Sequence, residues 1–528
     1  MATFSKNGKR IGRPPKAQTQ QPTGDAGAKT RNILNRYDAA GRGRRLAGWN
    51  PPSSGPNVAL AGLQTIRDRS RDSVRNDWAG ESVVQKWVSN LIGVGIRPRF
   101  KRIKDKARKQ RINDLFDDFT KQCDADGVLD FYGQQGLVTR AWLDGGEAFA
   151  RRRRRFPDEG FAVPMQVQLL EADMLALLDA DQYPGLPTGH VIRSGIELNK
   201  RGRRIAYWFY KQHPGDQQAA NVGPDNLVRV PASDVAHIYE PKRPGQLRGV
   251  PTMAPVLVRQ RNIADYEDAT LERQKLANLF VGFIKRTAPQ LDQSDPAIAE
   301  LTGAVVDYMM GEPNPLLPLK PGLIQTLDEN EEVQFANPPE AGTTYSDYMR
   351  TSHLGTAAGT GLPYELMSGD IREISDRTLR VIINDFRRYA EQRQWQIVIP
   401  MFCQKVLDWF VEGAVLAGEI SPAEAEDVRR AEWAPHGWEY IHPVQDPQGK
   451  KLEVEAGFRS RSSVIGARGD DPDEVDDERA ADMQREKELG LWVDPLGGQG
   501  GGSTEEGDQD GIDNDEYIAP PNVAARTR

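Results

Sequence analysis

An α+β fold of long helices around one β-rich segment is predicted by three observations. Helical periodicity runs from Asn57 to about residue 143 and returns from about residue 252. Between residues 146 and 240 it gives way to short β-rich runs separated by Gly/Pro turns. With 528 residues at 38% hydrophobic, the chain can also bury several cores, which predicts more than one domain.

The elements follow in order. Residues 1–30 are rich in Lys, Gln, Thr, Pro and Gly and predict a disordered basic tail. Residues 31–56 stay basic and end in the linker Pro-Pro-Ser-Ser-Gly-Pro. Leu60, Leu63 and Ile66 then lead into "RDRSRDSVRNDWAGESVVQKWVSNLIGVGIRPRF", residues 67–100, where a dense ladder of Arg and Asp precedes a face of Val84, Trp87, Val88 and Leu91. Helices are predicted at Lys104–Gln122, with Ile112, Leu115, Phe116 and Phe119 inward, and at Phe131–Leu143. "GEAFARRRRRF", "MQVQLLEADML", "HVIRSGIELN", "RIAYWFYKQH" and "DVAHIYE" read as strands of a mixed or antiparallel sheet.

A long helix is predicted from about Thr252 to Leu279. An α/β insert follows at 280–339, with "FVGFIKR", a helix near Ile298–Met310 and "GLIQTL". A helix at about Thr343–Thr360 precedes a Gly-rich break, "GTAAGTGLPYELMSGDIREIS". From Asp376 a long helix resumes to Gly413, kinked at Pro400. Residues 446–495 predict a polar two-helix arrangement, and 496–528 a disordered acidic tail.

Composition narrows the function. Cys123 and Cys403 provide no disulfide framework, which fits a reducing compartment. The basic N-terminus lacks an apolar run and is not a secretory signal. The most apolar stretch, Trp395–Gly418, is interrupted by Gln404, Lys405, Asp408 and Glu412, so no membrane association is expected. The formal net charge of −7 conceals an asymmetry. Residues 1–155 carry 32 Lys and Arg against 15 Asp and Glu, a net of +17, which leaves −24 for the remainder. Such separation favours charged contacts within the chain, between subunits or with nucleic acid.

Catalytic signatures are missing. There is no G-x-x-x-x-G-K-[ST], no G-x-S-x-G and no Cys–His signature, and the six histidines are scattered without metal-ligand spacing. "KRIGRPPK" places Arg13 in a sequence resembling a minor-groove hook, but reads more simply as a solvated basic tail. "DQDGIDNDE" imitates a calcium loop with its glycine at the wrong position. Arg151–Arg155 can track phosphates only by half, because alternate strand residues face opposite sides; salt bridges are the competing reading.

Several stretches together resemble the lambda-type bacteriophage portal protein family. Arg69–Ala79, followed by Trp87, Asn90, Gly93, Gly95, Ile96 and Pro98, resembles its early signature helix and closure. "RYDAAGRGRRLAGW" (36–49) resembles its lead-in, "HIYEPKRPGQLRGVPTMAPVL" (237–257) its most specific segment, and "GLPYELMSGD" (361–370) its loop-and-helix segment. "ISDRTLR" (374–380) departs from the family's usual pattern.

The resemblance implies a portal-type fold of wing, stem, clip and crown assembling as a dodecameric ring at one capsid vertex. By analogy 31–251 and 377–445 are wing, 252–279 and 340–361 stem, 280–339 clip, 362–376 tunnel loop and 446–495 crown. It implies tunnel-loop contacts to double-stranded DNA through Glu365, Met367, Asp370, Ile371, Arg372 and Glu373. In a ring, the ladder of Arg67, Arg71, Asp72 and Arg75 can pair with a neighbour's; the alternative is a surface helix with pairs of its own. Implied partners are the terminase large subunit, the major capsid protein and a neck, adaptor or tail protein. No cofactor and no catalysis are implied, and the location is the virion, with host cytoplasm during assembly. Helices about 10 Å across, twelve to a circle, give a bore of about 28 Å, enough for a duplex. A metal-dependent phage nuclease and a monomeric DNA-binding protein using the basic N-terminal third are the alternatives.

Overall fold

The computed structural model describes residues 55–57, 61–216, 226–279, 283–286, 331–334, 343–372, 374–438, 442 and 444–491. The charged ladder and the apolar face belong to two helices, α1 (Leu63–Asn76) and α2 (Trp78–Leu91). Asp77 divides them with an extended backbone, and its carboxylate accepts from Ala79 N at 2.9 Å, capping α2. β1 (Arg97–Arg99), α3 (Lys106–Gln122) and α4 (Phe131–Gly145) follow, the last two capped by Asp105 and Asp130.

The β-rich segment forms two antiparallel sheets. β2 (Glu147–Arg154) lies between β3 (Met165–Glu171) and β8 (Val235–Tyr239). The second sheet runs in the order β4 (Val191–Arg193), β5 (Ile196–Leu198), β6 (Arg204–Tyr210) and β7 (Leu227–Pro231). Their inner faces meet around Phe149, Leu175, Ile196, Tyr207 and Phe209. A larger core gathers Trp87, Phe116, Phe131, Trp142, Phe386, Phe402 and Phe410.

α5 (Leu257–Leu279) and α6 (Thr343–Thr360) pack against each other, Tyr266 meeting Tyr345 and Tyr348 at 5.9 and 4.6 Å between ring centroids. Of the insert between them, β9 (Phe283–Arg286) and β10 (Glu331–Gln334) are described and pair antiparallel. The helix expected near Ile298–Met310, "GLIQTL" and both terminal tails lie outside the described residues. The break expected across 355–375 is shorter, because α6 continues through Gly355 and Gly359 to Thr360. These glycines serve close packing: a Cβ on Gly359 would stand 2.4 Å from Val256 Cγ1. Gly361 (φ +73°) and Gly369 (φ +72°) supply the turns, flanking the short helix α7 (Tyr364–Ser368).

α8 (Asp376–Arg393) passes into a π-helical segment, Gln394–Cys403, and then α9 (Gln404–Ala417). Pro400 lacks an N–H, and the wider turn around it carries the chain through with Gln404 N bonded to Ile399 O. α10 (Ala425–Arg429) and β11 (Glu432–Ala434) follow, β11 pairing with β1. The final region contains three helices rather than two: α11 (Gln445–Glu455), α12 (Arg461–Gly466) and α13 (Pro472–Glu488). Lys109 ties α13 to α3 through Asp471 at 3.0 Å and Asp473 at 2.9 Å. Part of the sequence's charge asymmetry is thus met inside the chain. Among the described residues no helix is long and apolar enough to cross a membrane.

Candidate functional site

The charged ladder meets the "RPGQLRGVP" segment at Glu147. Gly146, left-handed at φ +88°, ends α4, and a Cβ on Gly249 would stand 1.9 Å from Gly146 O. Two glycines therefore let the loop lie directly on the start of β2. Glu147 is fully buried there. Its Oε1 accepts from Arg67 and from Arg248 Nε (2.6 Å), and its Oε2 from Gly249 N (2.8 Å) and His237 Nε2 (2.9 Å). Both arginines are also fully buried. Arg67 Nε donates to Gly145 O at 3.1 Å, while Arg248 donates to Ser194 O at 2.8 Å and Ala172 O at 3.1 Å.

Two buried cations thus share one carboxylate, with backbone carbonyls taking further N–H groups. Burial alone would raise the Glu147 pKa, but Arg248, Arg67 and the His237 hydrogen bond together hold it well below the usual carboxylate range. Arg204 Nη1 lies 3.0 Å from His237 Nδ1. Since arginine only donates, Nδ1 accepts and Nε2 carries the proton toward Glu147. Burial pushes the His237 pKa down to about 4, so the ring is neutral at pH 7.

Two members of the charged ladder meet acids of their own chain. Arg67 is fully enclosed within the chain. Arg71 turns inward too, onto Asp173 at 2.5 Å and Glu171 at 3.3 Å. The physical reason is the acceptor set presented by β2, β3 and the turn after β3. Asp72 and Arg75 stay exposed, with Asp72 accepting from Asn76 Nδ2 at 2.7 Å. Asp72 borders an open groove of about 670 Å³ between α1 and α5, lined also by Ile66, Leu257 and Val258.

Beside Arg71 lies a carboxylate cluster that the linear sequence hides. Burial pushes the Asp144 carboxyl up to about 7, with Arg71 opposing. Ligand atoms of Glu171, Asp173 and His213 lie within 4.8 Å of one another. The Arg71 guanidinium already bridges the two carboxylates, so a cation is in place there. Two arginines of the β2 run also meet acids: Arg152 meets Asp234 (2.6 Å) and Glu412 (2.5 Å), and Arg154 meets Asp234 (3.6 Å).

The loop at 361–372 is fastened to α2. Trp87 Nε1 donates to Thr360 O at 3.2 Å, and Ser82 Oγ donates to Met367 O at 2.6 Å. Trp87 is itself packed by Phe386 at 5.0 Å and covered by the Arg393 guanidinium at 4.2 Å. Of the residues expected to face DNA, Met367 is buried at 3% exposure and faces the core, because α7 is a helical turn rather than an open loop. Glu365 is half-buried and lines a pocket of about 610 Å³ against α8. Ile371 and Arg372 are exposed. Asp370 Oδ1 and Oδ2 each accept from Arg372 at 2.8 Å, which holds the Asp370 carboxyl well below its ordinary range. Glu373 lies outside the described residues.

With this geometry in hand, the chain belongs to the lambda family of phage portal proteins, whose family model matches residues 42–394. That span contains Arg67, Glu147, His237, Arg248 and the anchored loop. The probable portal protein of Halomonas phage phiHAP-1 is 26% identical over 497 residues, covering 90% of this chain and 91% of its own. Portal protein B of Escherichia phage lambda is 21% identical over 489 residues, covering 86% and 90%. Among solved structures, a chain from the neck of a native GTA particle computed with C12 symmetry is 14% identical, with a TM-score of 0.41, covering 80% of this chain and 97% of that one.

Proposed function

We propose that twelve copies of this chain close into a ring at one capsid vertex and form the channel for DNA packaging and ejection. The ring has no chemistry of its own. The terminase large subunit docks on it during packaging, a neck, adaptor or tail protein replaces it later, and the major capsid protein surrounds it. The chain acts in the virion and passes through the host cytoplasm during assembly. Membership of the portal family carries this reading.

In this assignment the paired helices α5 and α6 are the stem and the 280–339 insert is the clip docking face. The β sheets with α1 to α4 and α8 to α9 form the wing, and α11 to α13 the crown. The loop after α6 meets DNA through Asp370, Ile371, Arg372 and Glu373. Its internally paired Asp370 and Arg372 suit contact without capture, since tight phosphate binding needs several unpaired cations. Subunit contact falls to exposed Asp72 and Arg75 and the adjoining groove. The test is DNA content of particles carrying Arg372→Glu or Gly369→Pro. Reduced packaging or retention with normal rings is expected; full DNA content in both variants overturns the loop's role.

A further inference from the structure

A second charged surface lies away from the Glu147 knot and adjoins the loop pocket along α8, the two sharing Arg388. α8 and the helices α11 and α12 enclose a cleft of about 770 Å³. Arg380, Arg387 and Arg388 stand on the α8 side at helical spacings of seven and one, with Asn384 between them on the same face. Lys450 of α11, Arg459 after it and Arg468 after α12 complete the rim. Three acids, Glu391, Asp446 and Glu453, accompany these six cations. The cleft is therefore net positive in a chain whose formal charge is −7.

The acids do not neutralise the surface evenly. Glu453 is shared by Lys450 at 3.4 Å and Arg459 at 3.7 Å. Arg380 pairs with Asp376 at 2.6 Å, yet its Nε is shielded from solvent and makes no hydrogen bond among the described residues. The Arg387 guanidinium lies 5.3 Å from the ring centroid of Trp438, which also lines the cleft. Burial lowers the Arg387 pKa, with Asp446 and Glu391 opposing.

We propose that this cleft is a contact site for the phosphodiester backbone of nucleic acid. Guanidiniums match phosphate oxygens in two-pronged geometry. From Arg380 to Arg388 the α8 face extends about 12 Å along its axis, longer than one phosphate and equal to about three or four charges of one DNA strand. The shape suits a chain better than a single small anion. The proposal deepens the portal reading and rests on it for the presence of DNA. A contact of this few cations is weak at physiological salt, so it steadies a duplex without stopping its passage.

The experiment uses the full-length protein and a fluorescein-labelled 20-base-pair duplex, with anisotropy measured between 50 and 200 mM salt. The Arg388→Gln/Arg468→Gln variant should bind roughly ten-fold more weakly at low salt. Its slope of log K against log salt should be shallower by about 1 to 2, the loss of two phosphate contacts. Arg201→Gln/Arg203→Gln, on the exposed turn before β6, should leave both unchanged. Unchanged circular dichroism establishes that the variants are folded. Wild-type affinity and slope in the cleft variant overturn the proposal. So does loss of binding to a synthetic peptide of residues 503–517 with duplex binding intact, which would assign the cleft to the chain's own acidic segment. Ring mass, measured separately, tests the portal reading and does not depend on this result.

Discussion

Replacing Glu147 by Gln removes the single anion between Arg67 and Arg248 while keeping the side chain's volume. Both guanidiniums are fully buried and cannot recover water. Breaking a buried pair on one side costs about 3–5 kcal/mol, because the remaining charge stays desolvated. For a cooperative unit of about 400 residues, at about 2.1 cal/mol/K per residue, the unfolding entropy is near 0.8 kcal/mol/K, and the thermal midpoint falls by roughly 4–6 °C. Differential scanning calorimetry at pH 7 reads this directly. In an Arg67→Met background one surplus cation is already gone, so E147Q should cost at least about 1 kcal/mol less there, a coupling expected only of groups in contact. A midpoint within 1 °C of wild type, or additive effects, would refute the shared-carboxylate argument.

His237 has a folded-state pKa of about 4 against 6.5 in the unfolded chain, so its contribution is intact above 6.5 and drains as pH falls toward 4. His237→Gln retains a donor for Glu147 and an acceptor for Arg204. It should match wild type at pH 7 and exceed it by about 2 kcal/mol at pH 4.5 in urea titrations; a constant difference across pH would defeat the assignment. Gly359→Ala should cost about 1–3 kcal/mol by driving a methyl onto Val256, with much of the loss recovered in Gly359→Ala/Val256→Ala. Equal stability of the single variant and wild type would show that α6 is not closely packed against the entry to α5 there.

The helices and the β-rich segment were legible because their apolar residues repeat at 3.6 or 2 positions, and Thr343–Thr360 forms the helix its pattern predicts. The sites were less legible. The charges on α1 look alike in sequence, and which of them is buried depends on Glu147, 80 residues away. A signal was present: a lone carboxylate in "GGEAFA", opening an apolar strand, requires a buried cation. Glycine alone does not mark the turn at 355–375. Gly355 and Gly359 instead sit inside α6, and Met367 turns inward on α7 because α2 anchors that turn through Ser82 and Trp87. The metal-ligand spacing sought along the sequence missed Glu171, Asp173 and His213, which only the folded strands bring together.

Native mass spectrometry of the purified protein across salt and concentration tests the central claim most directly. A closed dodecamer of 58.8 kDa subunits appears at about 0.7 MDa. Monomers alone, at every salt and concentration, would contradict a ring-forming portal.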